Sequence, residues 1–477
     1  MIKKAIELNW LPVTRFRFPG PGNRQPVTGN FKFTMKYIFS LFVSLSVITQ
    51  INAQQQLTLQ DAVTAALKNN YDILLSRNDS TTYALNRYYS FGAFMPQLNG
   101  TASAVWNTNN QQLKFASRVN GKDSLITRNG VRTSTLNYGV NLNWTLFDGL
   151  KMFATRERLI EQETLGGLTL KAQIVNSIAA VMNNYYGIVR QKELLTAIDK
   201  TMAIYEERVQ LADKKLSVGL GSKPELLQAK VDYNAQRAAQ ITQQSLIAQL
   251  RDQLNQLIGF KQGSVYEVAD DTIPLNTSLQ YGEFANKYED TNPMLLAAKK
   301  SIDVANLGVK EQKAGLWPTL SFNSAYNFGK TNNSVVVNQN QPFYNQNKGF
   351  NYGFGLNVPI LNGFNTRRLI KAAQINVQYQ ELNYEKQRSL VDVGISTSFK
   401  NYELQKKLLE VENDNIQLAE ENVHIAFERL KQGVTTYLEL SEAQKSLQDA
   451  YIRLTTAKYN TKQAETELMR LRGDLLK

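Results

Sequence analysis

The sequence predicts a mainly α-helical chain with a small β part, built twice over from one helix-strand-strand-helix-helix unit. Three observations carry that prediction. Two stretches, Thr135–Gly149 and Gly349–Gly363, alternate large apolar residues with small or amide-bearing ones, which is the period of a strand with two different faces. Each is followed by a long proline-free run with apolar residues at three- and four-residue spacing, the period of a helix. The whole plan then recurs at a fixed distance along the chain.

The first 53 residues are set aside from fold reasoning. Met35-Lys36-Tyr37 and the apolar run Ile38–Ile48 read as a secretory signal peptide over 35–53, with Ala53 before the cut. The run is too short to span a bilayer. Residues 1–34 carry four prolines and no period, and read as a leader from a misassigned start, with Met35 the true one. Residues 1–53 hold seven Lys/Arg and one Glu, so the formal charge of +13 falls to +7 for the rest. That mild excess is spread along helices, without the basic cluster that nucleic-acid binding needs. Cysteine is absent, which excludes a disulfide framework, thiol chemistry and a lipidated cysteine. After Ala53 no run of about 18 consecutive apolar residues occurs, so a membrane-inserted form is expected to be a β-barrel.

The first copy, residues 54–259, opens with a helical pattern from Leu57 to Met95-Pro96, where proline stops the helix. A hairpin spans 97–147. Its first strand is read over Gln97–Asn107 and its second from Thr135, with a polar connection over 108–134 between them. In the second strand Leu136, Tyr138, Val140, Leu142 and Trp144 oppose Asn137, Gly139, Asn141 and Asn143. One helix over 150–218 follows, about 100 Å long at 1.5 Å per residue. It ends at Gly219, and a helix over 222–258 ends at Gly259. A linker occupies 260–278. The second copy, 279–477, has a helix, a hairpin over 319–361, a long helix over 364–432 and a helix over 436–472.

Asn292, Leu296 and Pro318 lie 222 residues after Asn70, Leu74 and Pro96. Beyond the hairpin the offset settles at 214: Asn351 on Asn137, Gly363 on Gly149, Gly433 on Gly219, Gly473 on Gly259. Constant register means helices of equal length, which is what side-by-side packing requires. Within the second long helix Leu404, Leu408, Val411, Asn415, Leu418, Asn422 and Ile425 make a coiled-coil seam. The two shorter helices of each copy sum to about one long helix, so stacked end to end they would complete another stave. Four strands cannot close a membrane barrel, whose minimum is about eight, and open edges are not tolerated in lipid. Two chains would supply eight strands and three would supply twelve.

Five features carry a resemblance: the tandem duplication itself and, twice in register within it, the Asn-plus-apolar start of each copy (Asn69-Asn70-Tyr71, Thr291-Asn292-Pro293), the helix-ending proline (Met95-Pro96, Trp317-Pro318), the strand-to-helix turn (Phe147-Asp148-Gly149, Leu361-Asn362-Gly363) and the glycine-marked helical tip. In these the chain resembles the TolC-type outer-membrane efflux proteins over Leu57–Gly473. The resemblance implies one third of a homotrimer with a twelve-stranded β-barrel and a twelve-stave α-helical barrel. It implies an exit duct in the outer membrane of a Gram-negative bacterium with a large periplasmic part. The duct would serve a tripartite efflux or type I secretion system and pass small molecules or proteins from an inner-membrane pump and a periplasmic adaptor to the outside.

By the same resemblance, the tips Val218, Gly219, Leu220, Gly221 and Gln432, Gly433, Val434, Thr435 dock the adaptor. Carboxylates just beyond them, Glu225, Glu439 and Glu442, ring the aperture. Read from the residues alone, Ser222-x-x-Glu225 and Thr436-x-x-Glu439 are capping boxes, whereas Glu442 lies past the first turn, where no cap is needed. Trp106, Trp144, Tyr326, Phe328, Phe350 and Tyr352 are expected to form membrane-interface girdles, or else to pack among themselves. His424 is the one histidine, mid-helix. With no phosphate loop, nucleophile elbow or His-based triad, no catalytic residue, metal ligand or cofactor site is assigned, and the chain is read as a non-enzyme. The competing readings are a periplasmic coiled-coil scaffold or adaptor without a pore, and a passive porin.

Overall fold

The computed structural model describes residues 56–115, 124–335 and 342–476; the leader, the signal peptide and the two hairpin turns lie outside the described residues. In chain order the elements are β1 (Gln56–Leu57), α1 (Leu59–Asn69), α2 (Tyr71–Tyr88), a 3-10 turn (Tyr89–Phe94), β2 (Gln97–Phe115), β3 (Ser124–Phe147), α3 (Lys151–Ser217) and α4 (Lys223–Ile258). Then come β4 (Glu267–Val268), α5 (Tyr281–Ala285), α6 (Tyr288–Thr291), α7 (Pro293–Ala314), β5 (Thr319–Asn333), β6 (Tyr344–Asn357), α8 (Asn365–Lys431) and α9 (Tyr437–Arg472). α3 and α8 are each 67 residues long, and α4 and α9 each 36.

Three local readings of the sequence change. The helix expected from Leu57 to Met95 is broken at Asn70 and ends in a 3-10 turn. The cause is the Asn70 side chain: its Oδ1 accepts from the amides of Asp72 and Ile73 and so begins a new helix. The polar connection expected over 108–134 is largely strand, because β2 continues to Phe115 and β3 begins at Ser124. Asn, Gln and Thr there satisfy a ladder as well as a loop, and composition alone does not separate the two. The last strand stops at Asn357 and not Leu361, since Pro359 has no amide to donate.

The chain divides into two compact units. The first takes the described residues up to Leu74, then Gln173–Asn292, and Val391 onward. Its core has Val181, Tyr185, Ile188 and Val189 of α3 against Leu254 and Ile258 of α4, with β1 paired in parallel to β4 beside them. By length and composition α3 contains a stretch apolar enough to cross a membrane (mean hydropathy 1.3 over 18 residues), which a count of consecutive apolar residues overlooks. Only a third of that stretch is buried within the chain, with Val175, Ile178 and Ala179 packed against Leu475. In a second core, Leu409, Ile416, Val423 and Leu430 of α8 meet Leu440, Leu447 and Leu454 of α9. Both sets recur every seven residues, and alanines fill the alternate layer at Ala419, Ala426, Ala443, Ala450 and Ala457. This is coiled-coil packing. The seam read from sequence is a different one: Leu404, Leu408, Val411, Leu418 and Ile425 are all exposed in the single chain. α8 therefore carries two seams and spends only one on its own chain.

The short helices end on repeated locks. Asn70 Nδ2 donates to Leu257 O at 2.8 Å, and Asn292 Nδ2 donates to Leu471 O at 2.7 Å. Each carbonyl lies two residues before a left-handed helix-ending glycine, Gly259 or Gly473. That pairing is the structural content of the repeated asparagine.

The second unit, Leu75–Ala172 with Pro293–Leu390, holds the sheet. Strand order is β2-β3-β5-β6, antiparallel throughout. At both joints from strand to long helix two consecutive residues have positive φ: Gly149 (73°) with Leu150 (68°), and Gly363 (62°) with Phe364 (62°). Bulky residues rarely adopt this conformation. Its repetition in both copies marks the joint as a specified part of the fold. The Asp148 carboxylate accepts from the amide of Met152 at 3.0 Å and so caps the start of α3.

Candidate functional site: paired helical tips and an aromatic sheet face

The two tips are built alike. After α3, Gly219 has φ 76°, its amide donates to Leu216 O, and the amide of Leu220 reaches back to Lys215 O at 2.8 Å. After α8, Gly433 has φ 75°, its amide donates to Leu430 O, and Val434 reaches Arg429 O at 2.9 Å. This is the glycine-dependent closing turn of a helix, in which otherwise free carbonyls are satisfied. It leaves Val218, Leu220 and Val434 exposed at the apex, Leu220 at 83%. Gly221 sits close under the turn, where an added Cβ would lie 2.9 Å from Lys215 Cβ. Gln432 is exposed and Thr435 half-buried.

The caps beyond the tips differ. Ser222 and Glu225 make the full reciprocal box: Ser222 Oγ accepts from the Glu225 amide at 3.4 Å, and the Glu225 carboxylate accepts from the Ser222 amide at 3.2 Å. In the second copy only half of that pattern forms. Thr436 Oγ1 accepts from the Glu439 amide, but the Glu439 carboxylate turns to Arg429 Nη1 at 2.9 Å and to the Thr435 hydroxyl. The second capping box expected from the sequence is thus corrected to a one-way cap, because an arginine ten residues upstream offers a charged donor. Glu442 is exposed, one turn further along α9. The matching Gln228 of the first copy donates to Asp232 at 2.8 Å.

Beneath the tips lies a buried polar cluster. Arg208 of α3 is 1% exposed; its Nη1 is 2.9 Å from Asp232 Oδ2 on α4 and 3.5 Å from Gln444 Oε1 on α9. Its guanidinium also lies 5.3 Å from the ring of Tyr437, the first residue of α9. Burial, then the nearby charge of Glu225, raise the Tyr437 phenol above its ordinary value, while Arg208 pulls it back. Arg208 Nε, Gln444 Nε2 and Tyr437 OH have no hydrogen-bond partner among the described residues. Lys215 Nζ, nearer the apex, donates 2.8 Å to Leu430 O at the end of α8. The first and second tips are therefore tied together within one chain.

The sheet presents two chemically different faces. Directly paired residues point the same way, so the registers collect Leu142, Val140, Tyr138 and Leu136 with Phe322, Tyr326 and Phe328, and these with Phe354, Tyr352 and Phe350. Tyr138 stacks on Phe328 at 4.5 Å between ring centres. The opposite face collects Asn99, Thr101 and Ser103 with Asn141, Gly139 and Asn137, then Ala325, Asn327 and Gly329, then Asn351 and Gly349. Trp144 lies at the helix end of the apolar face, where its Nε1 donates to Phe94 O at 2.9 Å. Trp106 pairs with Ser134, ten residues further along the ladder, and is 76% exposed. Ten residues span about 33 Å of strand, or about 25 Å of height at the usual barrel tilt. Tyr326, Phe328, Phe350 and Tyr352 fall between the two tryptophans.

Against known proteins, the family model described as outer membrane efflux protein matches residues 63–260 and 285–474, one match on each copy. The chain belongs to the outer membrane efflux protein family. Outer membrane protein TolC of Vibrio cholerae is 21% identical over 433 residues, 89% of this chain and 93% of that protein. Outer membrane efflux protein BepC of Brucella suis is 23% identical, covering 87% and 85%. Among solved structures, the outer membrane protein VceC of Vibrio cholerae superposes with a TM-score of 0.67 at 16% identity, over 87% of this chain and 96% of that one. This efflux protein is accordingly an outer-membrane channel with a large helical part, and the two-faced sheet is its membrane portion.

Sequence reasoning missed the cluster around Arg208 in this efflux protein. A signal was available: Thr201, Tyr205, Arg208 and Ala212 are all buried and follow four/three spacing, so an arginine occupies an apolar slot of α3. Asp232 and Gln444 had no such mark, because acids and amides are ordinary on long helices.

Proposed function

We propose that three copies of this chain close the sheet and the helices into one continuous exit duct. A periplasmic adaptor recruits the duct at the tips, and an inner-membrane pump feeds it in a tripartite efflux or type I secretion system. In this reading the protein conducts and does no chemistry. The supporting observation is the sheet: four strands in the order β2-β3-β5-β6 leave the outer edges of β2 and β6 without a partner among the described residues, and one face is aromatic. An open edge beside lipid is untenable, so β6 of one copy pairs with β2 of the next until the ring closes. The exposed second seam of α8 then packs on the neighbouring copy. A pore-free scaffold would need neither the aromatic face nor the free edges.

In the same reading Glu439 and Glu442, tripled by symmetry, make the carboxylate ring of the aperture, and Glu225 acts as a cap. Trp144 and Trp106 mark the two membrane interfaces. The partners are the other two copies, outer-membrane lipid, the adaptor and the pump. The test is complementation of a deletion strain of the host, scored against a panel of toxic compounds. Restored resistance with the protein in the detergent-soluble membrane fraction is expected. A protein that washes off membranes with salt would overturn the reading.

A further inference from the structure

The four strands of the sheet hold Lys114, Arg128, Arg132, Lys330 and Lys348 and no Asp or Glu, in a chain with 41 acidic residues. The cations are placed unevenly. Where the register is unbroken, from Gln97 to Asn109 and along its partners, the amide-bearing face carries no charge. Arg132, Lys330 and Lys348 all share the apolar face: Lys330 pairs with Leu136, Lys348 with Phe328, and Arg132 with Thr108 in line beyond Trp106.

Their depth follows from the ladder. The row of Trp106 runs through Ser134 and Asn332 to Tyr344. Lys330 stands two residues, and Lys348 four residues, closer to the helix end than that row. Four residues are about 13 Å and three strand spacings about 14 Å, a slope near 40°, which is the tilt of strands in membrane barrels. The feet of the strands step the same way: the row of Gln97 meets Gly353, four residues short of the end of β6 at Asn357. Trp106, Lys330 and Lys348 therefore lie at one membrane depth, at the hairpin end away from the helices, with Arg132 just beyond. The Lys330 ammonium is 5.3 Å from the ring of Tyr344, which stands four residues further from the helix end than Lys348 on β6 and so draws the charge outward from the apolar band.

We propose that Lys330, Lys348 and Arg132 form a binding site for the phosphorylated headgroups of outer-leaflet lipid, repeated on each copy around the barrel. The inference rests on the apolar face being the lipid face. A cation on that face at the aromatic boundary meets headgroups, and the four strands offer it no carboxylate as counter-charge. Simple extension of the lysines into water would need no such one-signed row.

The test uses the purified full-length trimer in detergent, incubated with bis-phosphorylated lipid A, with the same lipid stripped of both phosphates, or with phosphatidylethanolamine, and read by native mass spectrometry. The wild type should retain the phosphorylated lipid in preference to the other two, and excess inorganic phosphate should not displace it. K330Q/K348Q should lower that retention about thirtyfold, taking about 1 kcal/mol per cation at a membrane surface, while K223Q at the first tip leaves it unchanged. Equal retention of all three lipids, equal retention by wild type and K330Q/K348Q, or displacement by inorganic phosphate would overturn the proposal. Failure of the barrel reading itself would look different, with no trimer and no lipid of any kind retained.

Discussion

Arg208 Nη1 lies 2.9 Å from Asp232 Oδ2 in a site where the arginine is 1% exposed and the aspartate side chain 20% exposed, so α3 and α4 share a charge pair largely shielded from water. Gln444 and Tyr437 bring the start of α9 to the same guanidinium. One buried guanidinium thus links the helices that flank both tips. Asp232→Ala would leave the guanidinium buried without its counter-charge, at a cost of about 3–5 kcal/mol. Arg208→Met combined with Asp232→Leu should cost far less, since it removes both charges. Urea unfolding followed by helical circular dichroism compares them; equal losses in the two proteins would mean the pair is not a buried one.

The glycines separate into two kinds. At Gly149 an added Cβ would lie 2.4 Å from Ala314 O and 2.8 Å from Trp317 Cβ, whereas at Gly219 and Gly433 nothing lies within 4 Å. Gly149→Ala should prevent assembly. Gly219→Ala and Gly433→Ala should assemble and lose about 1–2 kcal/mol for a left-handed alanine. The yield of folded trimer distinguishes them, and normal assembly of Gly149→Ala would contradict the joint described above.

Asn70 and Asn292 each fasten a helix start to a carbonyl ahead of a terminal glycine. Asn70→Ala removes the cap of α2 and leaves Leu257 O without that donor. The expected loss is about 2–3 kcal/mol, measured as a drop in urea midpoint at unchanged slope. Asn70→Asp keeps the cap acceptor and loses the donor, and should fall between alanine and the wild type. A wild-type midpoint for the alanine variant would dismiss the lock.

On α9, Glu439 is already engaged by Arg429 while Glu442 is exposed, and the proposed carboxylate ring can be tested through both. Glu442→Ala should weaken divalent-cation block of single channels by roughly tenfold, since three like charges in one ring concentrate counterions. Arg429→Ala should strengthen the block by freeing Glu439. Unchanged block in both variants would remove the carboxylates from the gate.

Much of this was legible in the residues because duplication prints each feature twice. The alternation of Leu136–Trp144 gave the face of β3, and the sheet registers add only which neighbours share it. The helix ends at Gly219, Gly259, Gly433 and Gly473 were readable because a left-handed closing turn needs glycine. What escaped was decided between segments. Thr436-x-x-Glu439 has the spacing of a capping box, yet Arg429, across the turn, takes the carboxylate. The residues over 108–134 suit a loop or a ladder equally, and only the partner strand settles which. On α8 the seam through Leu404 and Leu418 was visible, while the parallel one through Leu409, Ile416 and Val423 depended on knowing what α9 brings to it.

If one chain supplies a third of the duct, the membrane-extracted particle must contain three chains. Native mass spectrometry of the detergent-solubilised protein should give a mass of three chains, stable against dilution. A monomer, or a dimer closing an eight-stranded barrel, would rule out a three-chain duct.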